Sequence, residues 1–253
     1  MGILQRTMEA WPLKTGERPR VPVGVRVYAV GDIHGHLDLL QDLQRQMDED
    51  QAAHPNRAHI EIYLGDYVDR GPASPGVLDA LMERRRSRGA ICLSGNHEEL
   101  MLESYTSFER FSHWLRVGGL HTAVSYMPRL VPVAEDLEPR YLWHRWRGVV
   151  PEAHLGFLKG LGLFHTVGDY LFVHAGIRPS IPLERQRRKD LLWIRRDFLD
   201  HREPFDHVVV HGHTPVAEPE IRANRIGIDT GAFASRHLTC LVLDGTERYI
   251  LST

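Results

Sequence analysis

Three short glycine-bracketed stretches carry side chains that could bind metal ions and phosphate. They read Gly-Asp-Ile-His-Gly at 31–35, Gly-Asp-Tyr-Val-Asp-Arg-Gly at 65–71 and Gly-Asn-His-Glu at 95–98. Glycine lets the backbone turn sharply and lets a substrate approach closely. Carboxylate, amide and imidazole groups are ligands for divalent cations, and arginine matches a phosphate group. The three stretches therefore predict a site for two divalent cations and a phosphate.

The elements around these stretches predict how they are brought together. Each stretch follows a short apolar run and precedes a helical pattern. The runs are 25–30, 60–64 and 90–93, and the helical patterns are 37–47, 76–86 and 98–103. Strands that alternate with helices predict an α/β fold in which neighbouring strands are parallel. Ligands bind beyond the carboxyl ends of such strands, so we expect one site built from three loops.

Two later histidines follow apolar runs and extend the set of possible ligands. Taken singly, Asp32 with His34 is typical of a surface loop, Asn96 of a helix cap and a lone histidine of a structural residue. Their joint occurrence in one sequence favours metal binding. The candidate ligands are Asp32, His34, Asp66, Asn96, His174 and His213. A set of oxygen and imidazole ligands without thiolate suits Mn²⁺, Fe or Zn²⁺ better than Ca²⁺.

Composition excludes several classes of protein. The chain has 253 residues, 42% of them hydrophobic, and a net charge of −2, which gives no electrostatic reason to expect a nucleic-acid partner. Its two cysteines provide no disulfide framework and favour a reducing compartment. No apolar run has membrane-spanning length, and residues 1–24 lack the layout of a signal peptide. We therefore expect a cytoplasmic protein without a membrane partner.

The middle of the chain differs in character from the alternating pattern around it. Tyr105, Phe108, Phe111 and Trp114 recur at helical spacing before Gly-Gly at 118–119, and the chain beyond these glycines is interrupted by Pro128, Pro132 and Pro139. Periodic aromatic residues are usually buried, which favours core packing over a substrate groove. We expect a single domain, 1–253, with a mainly helical insertion at about 103–163.

The order of the motifs resembles that of a known family. The three stretches, followed by His-Ala-Gly at 174–176 and Gly-His-Thr at 212–214, resemble the metal-dependent serine/threonine phosphoprotein phosphatases. The similarity is greatest to their bacterial and phage branch, within the calcineurin-like metallophosphoesterase superfamily. This resemblance implies two packed mixed β-sheets flanked by helices. It also implies that Asp32 and His34 hold one metal, that Asp66 bridges both, and that Asn96, His174 and His213 complete the second.

The same resemblance implies roles for the residues that handle the phosphate. Arg70 would clamp the phosphate, and His97 with Asp69 would act as the general acid. A second phosphate-binding arginine is expected after 190–193, where we favour Arg195 over Arg196 because the bacterial pattern is Trp-Ile-Arg. His211 matches no ligand position and is expected either to support a metal ligand from behind or to pack against its strand, rather than to bind the metal itself.

The resemblance predicts a phosphoprotein phosphatase. Two divalent cations, most simply Mn²⁺, would share a water, and the resulting hydroxide would attack phosphoserine or phosphothreonine on a protein or peptide. A symmetrical dinucleoside tetraphosphate hydrolase is an alternative, because it shares the scaffold and most ligands. A non-catalytic phosphate-sensing or scaffold protein is a third. The chain also lacks the Ser-Ala-Pro-Asn-Tyr-Cys-type loop of the eukaryotic branch, with Gly-Ile-Asp-Thr-Gly at 227–231 in its place.

Overall fold

Two mixed β-sheets pack against each other and carry helices on their outer faces. The computed structural model describes residues 18–130 and 138–253 together with the backbone of Gln5 and Arg6, so Pro132 and most of the first 17 residues lie outside the described part. The strands are β1 (Gln5–Arg6), β2 (Val25–Val30), β3 (Ala58–Tyr63), β4 (Ile91–Cys92), β5 (Phe164–Val167), β6 (Tyr170–Val173), β7 (Val208–His211), β8 (Glu220–Ile221), β9 (Arg225–Gly227), β10 (Thr239–Asp244) and β11 (Glu247–Ser252).

The helices fall into two groups, one on each outer face. The α-helices are α1 (Leu37–Ala53), α2 (Ser74–Arg88), α3 (Asn96–Glu103), α4 (Phe108–Trp114), α5 (Leu120–Ser125), α6 (Pro139–Trp146), α7 (Glu152–Lys159), α8 (Arg188–Trp193), α9 (Arg196–Leu199) and α10 (Ala232–Ser235). A π-helix, Leu115–Gly119, joins α4 to α5, and a 3₁₀ turn spans Leu183–Arg185. No helix of the described residues is long and apolar enough to cross a membrane.

The two sheets have the order β1-β11-β10-β2-β3-β4 and β5-β6-β7-β9-β8. Strands β2, β3 and β4 run parallel, as do β6, β7 and β9, while β10 is antiparallel to β2. The carboxyl ends of both parallel groups therefore carry the predicted ligand loops. The expectation of a mixed two-sheet α/β fold is confirmed.

Alternation along the strands builds the core. On β2, Val27 and Ala29 face the second sheet, whereas Tyr28 and Val30 face the helices, because successive strand residues point to opposite faces. Between the sheets they meet Phe172 and other residues of the second sheet. The outer face of the second sheet packs on α8 and α9. The molecule thus has four layers, helix, sheet, sheet and helix.

The helix α1 extends further than its apolar spacing predicts, to Ala53 rather than to Met47. Its last turns are polar in sequence, but Asp50 and Gln51 are buried because they bind Arg26 and Glu61. Polar contacts, which apolar periodicity does not report, account for the extra length. A tight hairpin joins β5 to β6, with Gly168 at φ 56° between them.

The segment 103–163 contains four α-helices in its described part, α4 to α7. Phe111, Trp114 and Trp146 are fully buried, and Tyr105 and Phe108 pack against the same cluster. Core packing of these aromatic residues is confirmed. Gly118, at φ 118°, kinks the chain between α4 and α5. Pro139 opens α6, where proline is tolerated because the first turn has no intrahelical N–H partner.

Candidate metal centre

The predicted loops meet at one end of the two sheets in a strained backbone conformation. Seven described residues other than glycine have positive φ, and five of these are predicted site residues. They are His34 (48°), Asp66 (51°), Asp69 (73°), Arg70 (67°) and His213 (64°). The amides of Ile33 and His34 donate to the carbonyl of Asp66, at 3.1 and 2.8 Å, and lock two loops together. Such strain is maintained by surrounding structure and concentrates at functional sites.

Two groups of side chains share Asp66 and could each hold a metal ion. The first group is His34, Asp66 and His97, and the second is Asp66, His174 and His213. Asp66 Oδ2 lies 3.6 Å from His34 Nε2, and Oδ1 lies 3.4 Å from His174 Nε2. Asn96 Oδ1 lies 2.9 Å from His174 Nε2 and joins the second group. The two carboxylate oxygens of Asp66 thus face different groups, which is the geometry that a bridging ligand needs.

Backbone carbonyls orient two of the imidazole rings. His34 Nδ1 donates to the carbonyl of Val68 at 2.9 Å, and His174 Nδ1 donates to that of Leu64 at 3.0 Å. A carbonyl can only accept, so Nδ1 of His34 carries the proton and the lone pair of its Nε2 faces Asp66. Fixing the tautomer in this way is typical of histidines that bind metals.

Asp32 lies beside these groups but in neither of them. Its Oδ2 and Oδ1 accept from the backbone amide of His213 at 3.0 and 3.3 Å. A Cβ at Gly212 would collide with the same carboxylate, so glycine is needed there. Burial, with repulsion from Asp229 and Asp66, raises the pKa of Asp32. A nearby cation would relieve this repulsion.

The histidines of the site differ in the direction in which their environment shifts the pKa. Burial lowers the pKa of His34, His174 and His213, in the last case to about 3. A neutral imidazole is the form that binds a metal. Burial also acts to lower the pKa of His97, but the carboxylates of Asp66 and Asp69 outweigh it and the net shift is upward. His97 is therefore the histidine best suited to carry a proton.

His97 is held by the carboxylate of Asp69. Its Nδ1 lies 2.7 Å from Asp69 Oδ2, and the indole N–H of Trp114 donates to the same oxygen at 2.8 Å. His97 Nε2 lies 3.2 Å from Arg70 Nη2. The guanidinium of Arg70 stacks over Phe233 with its carbon 4.3 Å from the ring centroid. The predicted acid pair and the predicted clamp are thus adjacent.

Of the two candidate arginines, Arg195 reaches the site. Its Nε donates to His213 Nε2 at 3.2 Å, whereas Arg196 starts α9 and makes no side-chain contact with a predicted ligand among the described residues. His211 lies outside both groups. Its ring packs edge-on against Phe198 with centroids 5.0 Å apart, as expected of a packing residue.

Sequence reasoning missed three residues that support the site. Glu98 accepts backbone N–H bonds from Gly95, Asp66, Tyr67 and Val68, which fixes the loop that carries Asp66. Glu98 stands in the third glycine-bracketed stretch, three residues after the glycine that precedes α3, so a capping pattern could have identified it. Asp229 lies between two glycines, like the predicted ligands. Trp114 gave no local signal.

The donor set fits two divalent cations. Three buried carboxylates, from Asp32, Asp66 and Asp229, lie near neutral imidazoles, and no described arginine or lysine forms an ion pair with them. Carboxylate, imidazole and amide ligands suit Mn²⁺, Fe and Zn²⁺. Buried charge without a partner is costly, so cations complete the balance.

The fold and the site together define a metal-dependent phosphoesterase. The sequence profile of the calcineurin-like phosphoesterase family matches residues 25–242, and the chain belongs to this family. Members of this class use two divalent metals, in agreement with the donor set. The chain is accordingly an enzyme that hydrolyses phosphoesters, and the non-catalytic interpretation is not supported.

Two curated relatives of similar length carry the name of a tetraphosphatase. The chain is 27% identical over 232 residues to the bis(5'-nucleosyl)-tetraphosphatase PrpE [asymmetrical] of Anoxybacillus flavithermus, covering 84% of this chain and 88% of the relative. It is 25% identical over 235 residues to the protein of the same name from Oceanobacillus iheyensis, covering 85% and 87%.

Solved structures share the fold. A protein proposed to be a diadenosine tetraphosphatase superposes with a TM-score of 0.62 at 21% identity, covering 92% of this chain and 95% of that one. A Saccharomyces cerevisiae protein serine/threonine phosphatase superposes with a TM-score of 0.55 at 15% identity, covering 90% and 79%. A cold-active protein tyrosine phosphatase gives 0.58 at 17% identity, with coverage of 92% and 79%. At these identities the similarity shows the fold alone.

Proposed function

We propose that this chain hydrolyses dinucleoside tetraphosphates, with cleavage in the asymmetrical mode. The observation that carries the proposal is the similarity to relatives named as asymmetrical tetraphosphatases over 84–85% of this chain and 87–88% of theirs. The motifs had favoured the phosphoprotein phosphatases, with a symmetrical tetraphosphatase as the alternative. The relatives favour the alternative substrate class and the other cleavage mode.

The residues divide the work of hydrolysis. Asp32, His34 and Asp66 would hold one cation, and Asp66, Asn96, His174 and His213 would hold the other. When bound, the cations supply Lewis-acid stabilisation of the phosphoryl oxygens and a water of lowered pKa. Mn²⁺ is the metal we favour.

Arginines and one histidine act on the phosphate itself. Arg70 and Arg195 would bind its oxygens, because the planar guanidinium matches two oxygens at once. His97 would donate its Nε2 proton to the departing oxygen while Asp69 holds Nδ1. Asp69 and His97 already make this contact, at 2.7 Å.

A phosphoserine or phosphothreonine substrate is the second candidate. It is favoured by the buried His97–Asp69 pair, because an alkoxide leaving group needs a proton more than a polyphosphate does. A phosphoprotein or phosphopeptide would then be the partner. A cytoplasmic location fits either substrate and agrees with two buried free cysteines.

The test compares substrates on the purified enzyme with Mn²⁺. We expect kcat/KM for diadenosine tetraphosphate to exceed that for phosphoserine and phosphothreonine peptides by at least about tenfold, which is a difference of about 1.4 kcal/mol in transition-state binding. Chromatography of the products should show ATP and AMP. A higher kcat/KM on the peptides would overturn the substrate class. Two equivalents of ADP would overturn only the cleavage mode.

A further inference from the structure

A small basic cavity adjoins the metal centre on the side of Arg195. Its volume is about 220 Å³, and its lining includes Trp193, Lys189, Arg195 and Arg196. Ligand clefts for drug-sized molecules are larger, roughly 300–1,000 Å³. The cavity therefore matches one ring system with an attached charged group. None of the residues given a role above, other than Arg195, contributes to it.

Trp193 presents an exposed ring that is nevertheless held in place. The residue is 36% exposed. Its indole N–H donates to Glu99 Oε2 at 3.0 Å, and Arg188 Nε donates to the other oxygen of Glu99 at 2.7 Å. Glu99 belongs to α3, the helix that starts at Asn96. An aromatic surface fixed in advance loses little conformational entropy when a ligand stacks on it.

The ring of Trp193 is also close to the predicted ligands. It lies edge-on to His213, with ring centroids 6.2 Å apart. Arg195, two residues further on, donates to the same histidine. A group stacked on Trp193 would therefore be joined to a phosphate at the metal centre by a phosphate chain that passes Arg195.

The cavity carries unbalanced positive charge. Its two acidic residues, Asp190 and Asp197, are both bound by Arg178, at 2.8 and 2.9 Å. Lys189 and Arg196 form no salt bridge within the described ranges 18–130 and 138–253. Among the described residues, the side chain of Arg195 hydrogen-bonds to His213 and forms no salt bridge with a carboxylate. An anionic ligand with an aromatic ring is complementary to this lining.

We propose that the Trp193 cavity binds the nucleoside of the substrate that lies away from the reacting phosphorus, with Lys189 and Arg196 on the intervening phosphates. The inference rests on the proposed function, since it assigns part of the dinucleotide to this cavity. Base stacking on an aromatic side chain tolerates any base, so the cavity selects for a nucleotide rather than for adenine.

The first test measures inhibition and does not depend on turnover of a dinucleotide. The inhibition constants of ATP and of inorganic tripolyphosphate are to be measured in parallel on the Mn²⁺-loaded enzyme, with p-nitrophenyl phosphate as the substrate. We expect ATP to bind about tenfold more tightly, because only ATP has a base to stack. Trp193→Ala should abolish the difference, and Trp193→Phe should retain most of it.

Two further variants test the phosphate contact of Lys189 and whether the effect is specific to an aromatic residue in the cavity. Lys189→Ala should weaken ATP and tripolyphosphate alike by several fold, because it removes a phosphate contact and leaves the ring. Tyr141→Ala is the matched control, since Tyr141 is an exposed aromatic residue on α6, outside the cavity. It should leave both inhibition constants and the turnover of p-nitrophenyl phosphate unchanged.

The second test uses diadenosine tetraphosphate. Trp193→Ala should raise its KM about tenfold with little change in kcat. Equal inhibition by ATP and tripolyphosphate in the unmodified enzyme would overturn the cavity assignment, even if the dinucleotide is a good substrate. Preferential ATP binding that depends on Trp193 would support the assignment, even if the dinucleotide is not hydrolysed. A KM rise confined to phosphopeptides would assign the cavity to a peptide and overturn the proposal.

Discussion

Two buried polar clusters lie at opposite ends of β2, and they differ in whether a basic side chain pairs with their carboxylates. At the start of the strand, Arg26 donates through Nε and Nη2 to Asp50 at 2.8 and 3.1 Å, and Tyr28 donates to Asp50 at 2.7 Å. Beyond its end, about 20 Å along the strand direction, the carboxylates of Asp32, Asp66 and Asp229 lie together. No described arginine or lysine forms a salt bridge with them.

The pKa values of the carboxylates record this difference. Burial acts to raise the pKa of Asp50, but the hydrogen bonds from Arg26 and Tyr28 outweigh it and the net shift is downward. Burial and mutual repulsion raise the pKa of Asp32, and the pKa of Asp229 rises to about 6, whereas the neighbouring histidines outweigh burial and lower the pKa of Asp66. The first cluster is complete within the chain and stabilises the fold. Among the described residues, the carboxylates of the second cluster lack an arginine or lysine partner, so cations are needed to balance their charge. Clusters of groups with perturbed pKa values are typical of functional sites.

The largest effect should come from the carboxylate shared by both metal groups. Asp66→Asn removes a negative charge that faces His34 and His174. We expect a loss of roughly 10³-fold in kcat, together with a fall in metal content measured by elemental analysis. Full occupancy in the variant would contradict a bridging role.

The next effect tests whether His97 belongs with the metal ligands or with the phosphate. Its position near His34 and Asp66 would also allow metal binding. As a general acid, His97→Ala should retain both metals and lose roughly 10²-fold in kcat on substrates with poor leaving groups. The loss on p-nitrophenyl phosphate should be smaller, because p-nitrophenolate leaves without a proton. Loss of one metal equivalent, or equal losses on all substrates, would make His97 a ligand instead.

Variants of the Arg26–Asp50 cluster should lower the free energy of unfolding and leave catalysis unchanged. Asp50→Asn leaves Asp244, at 3.0 Å, as the only described carboxylate that pairs with Arg26. Breaking a buried ion pair costs about 3 kcal/mol, to be measured by urea unfolding, while kcat/KM and metal content should not change. The control is Asp42→Asn, which breaks an exposed pair with Arg45 and should cost less than about 1 kcal/mol.

This cluster also predicts a pH dependence of stability. A carboxylate whose pKa is lowered by folding contributes stability above its unfolded pKa, about 3.9 for aspartate. That contribution is lost as the pH falls through the lower folded pKa of Asp50. The difference in unfolding free energy between the unmodified chain and Asp50→Asn should therefore be constant above about pH 5 and shrink below pH 4. A difference independent of pH would mean that Asp50 is not ionised in the folded chain.

The two clusters were not equally predictable from sequence. Asp32, His34 and Asp66 were found because each ligand loop is local, a few residues bracketed by glycine after a strand. The partners Arg26 and Asp50 are 24 positions apart, and their pairing depends on α1 packing along β2. Likewise Trp114 meets Asp69 across 45 positions. Long-range contacts of this kind leave no periodic pattern in the sequence, whereas the alternation of strands with helices and the aromatic core do.

The smallest effect tests whether the helical insertion contributes to the metal centre beyond packing. Trp114→Phe keeps an aromatic ring but removes the N–H donor to Asp69 Oδ2, whose other oxygen, Oδ1, has no described partner. Losing a bond that orients a catalytic pair typically costs about tenfold in activity. Trp146→Phe is the matched control, since it removes a 2.8 Å indole bond to Ser104 in the same insertion. Both variants should lose similar stability, but only Trp114→Phe should lower kcat, and most on poor leaving groups. Equal kcat values in the two variants would mean that Trp114 contributes only packing. The helical insertion would then have no effect on catalysis through the bond to Asp69.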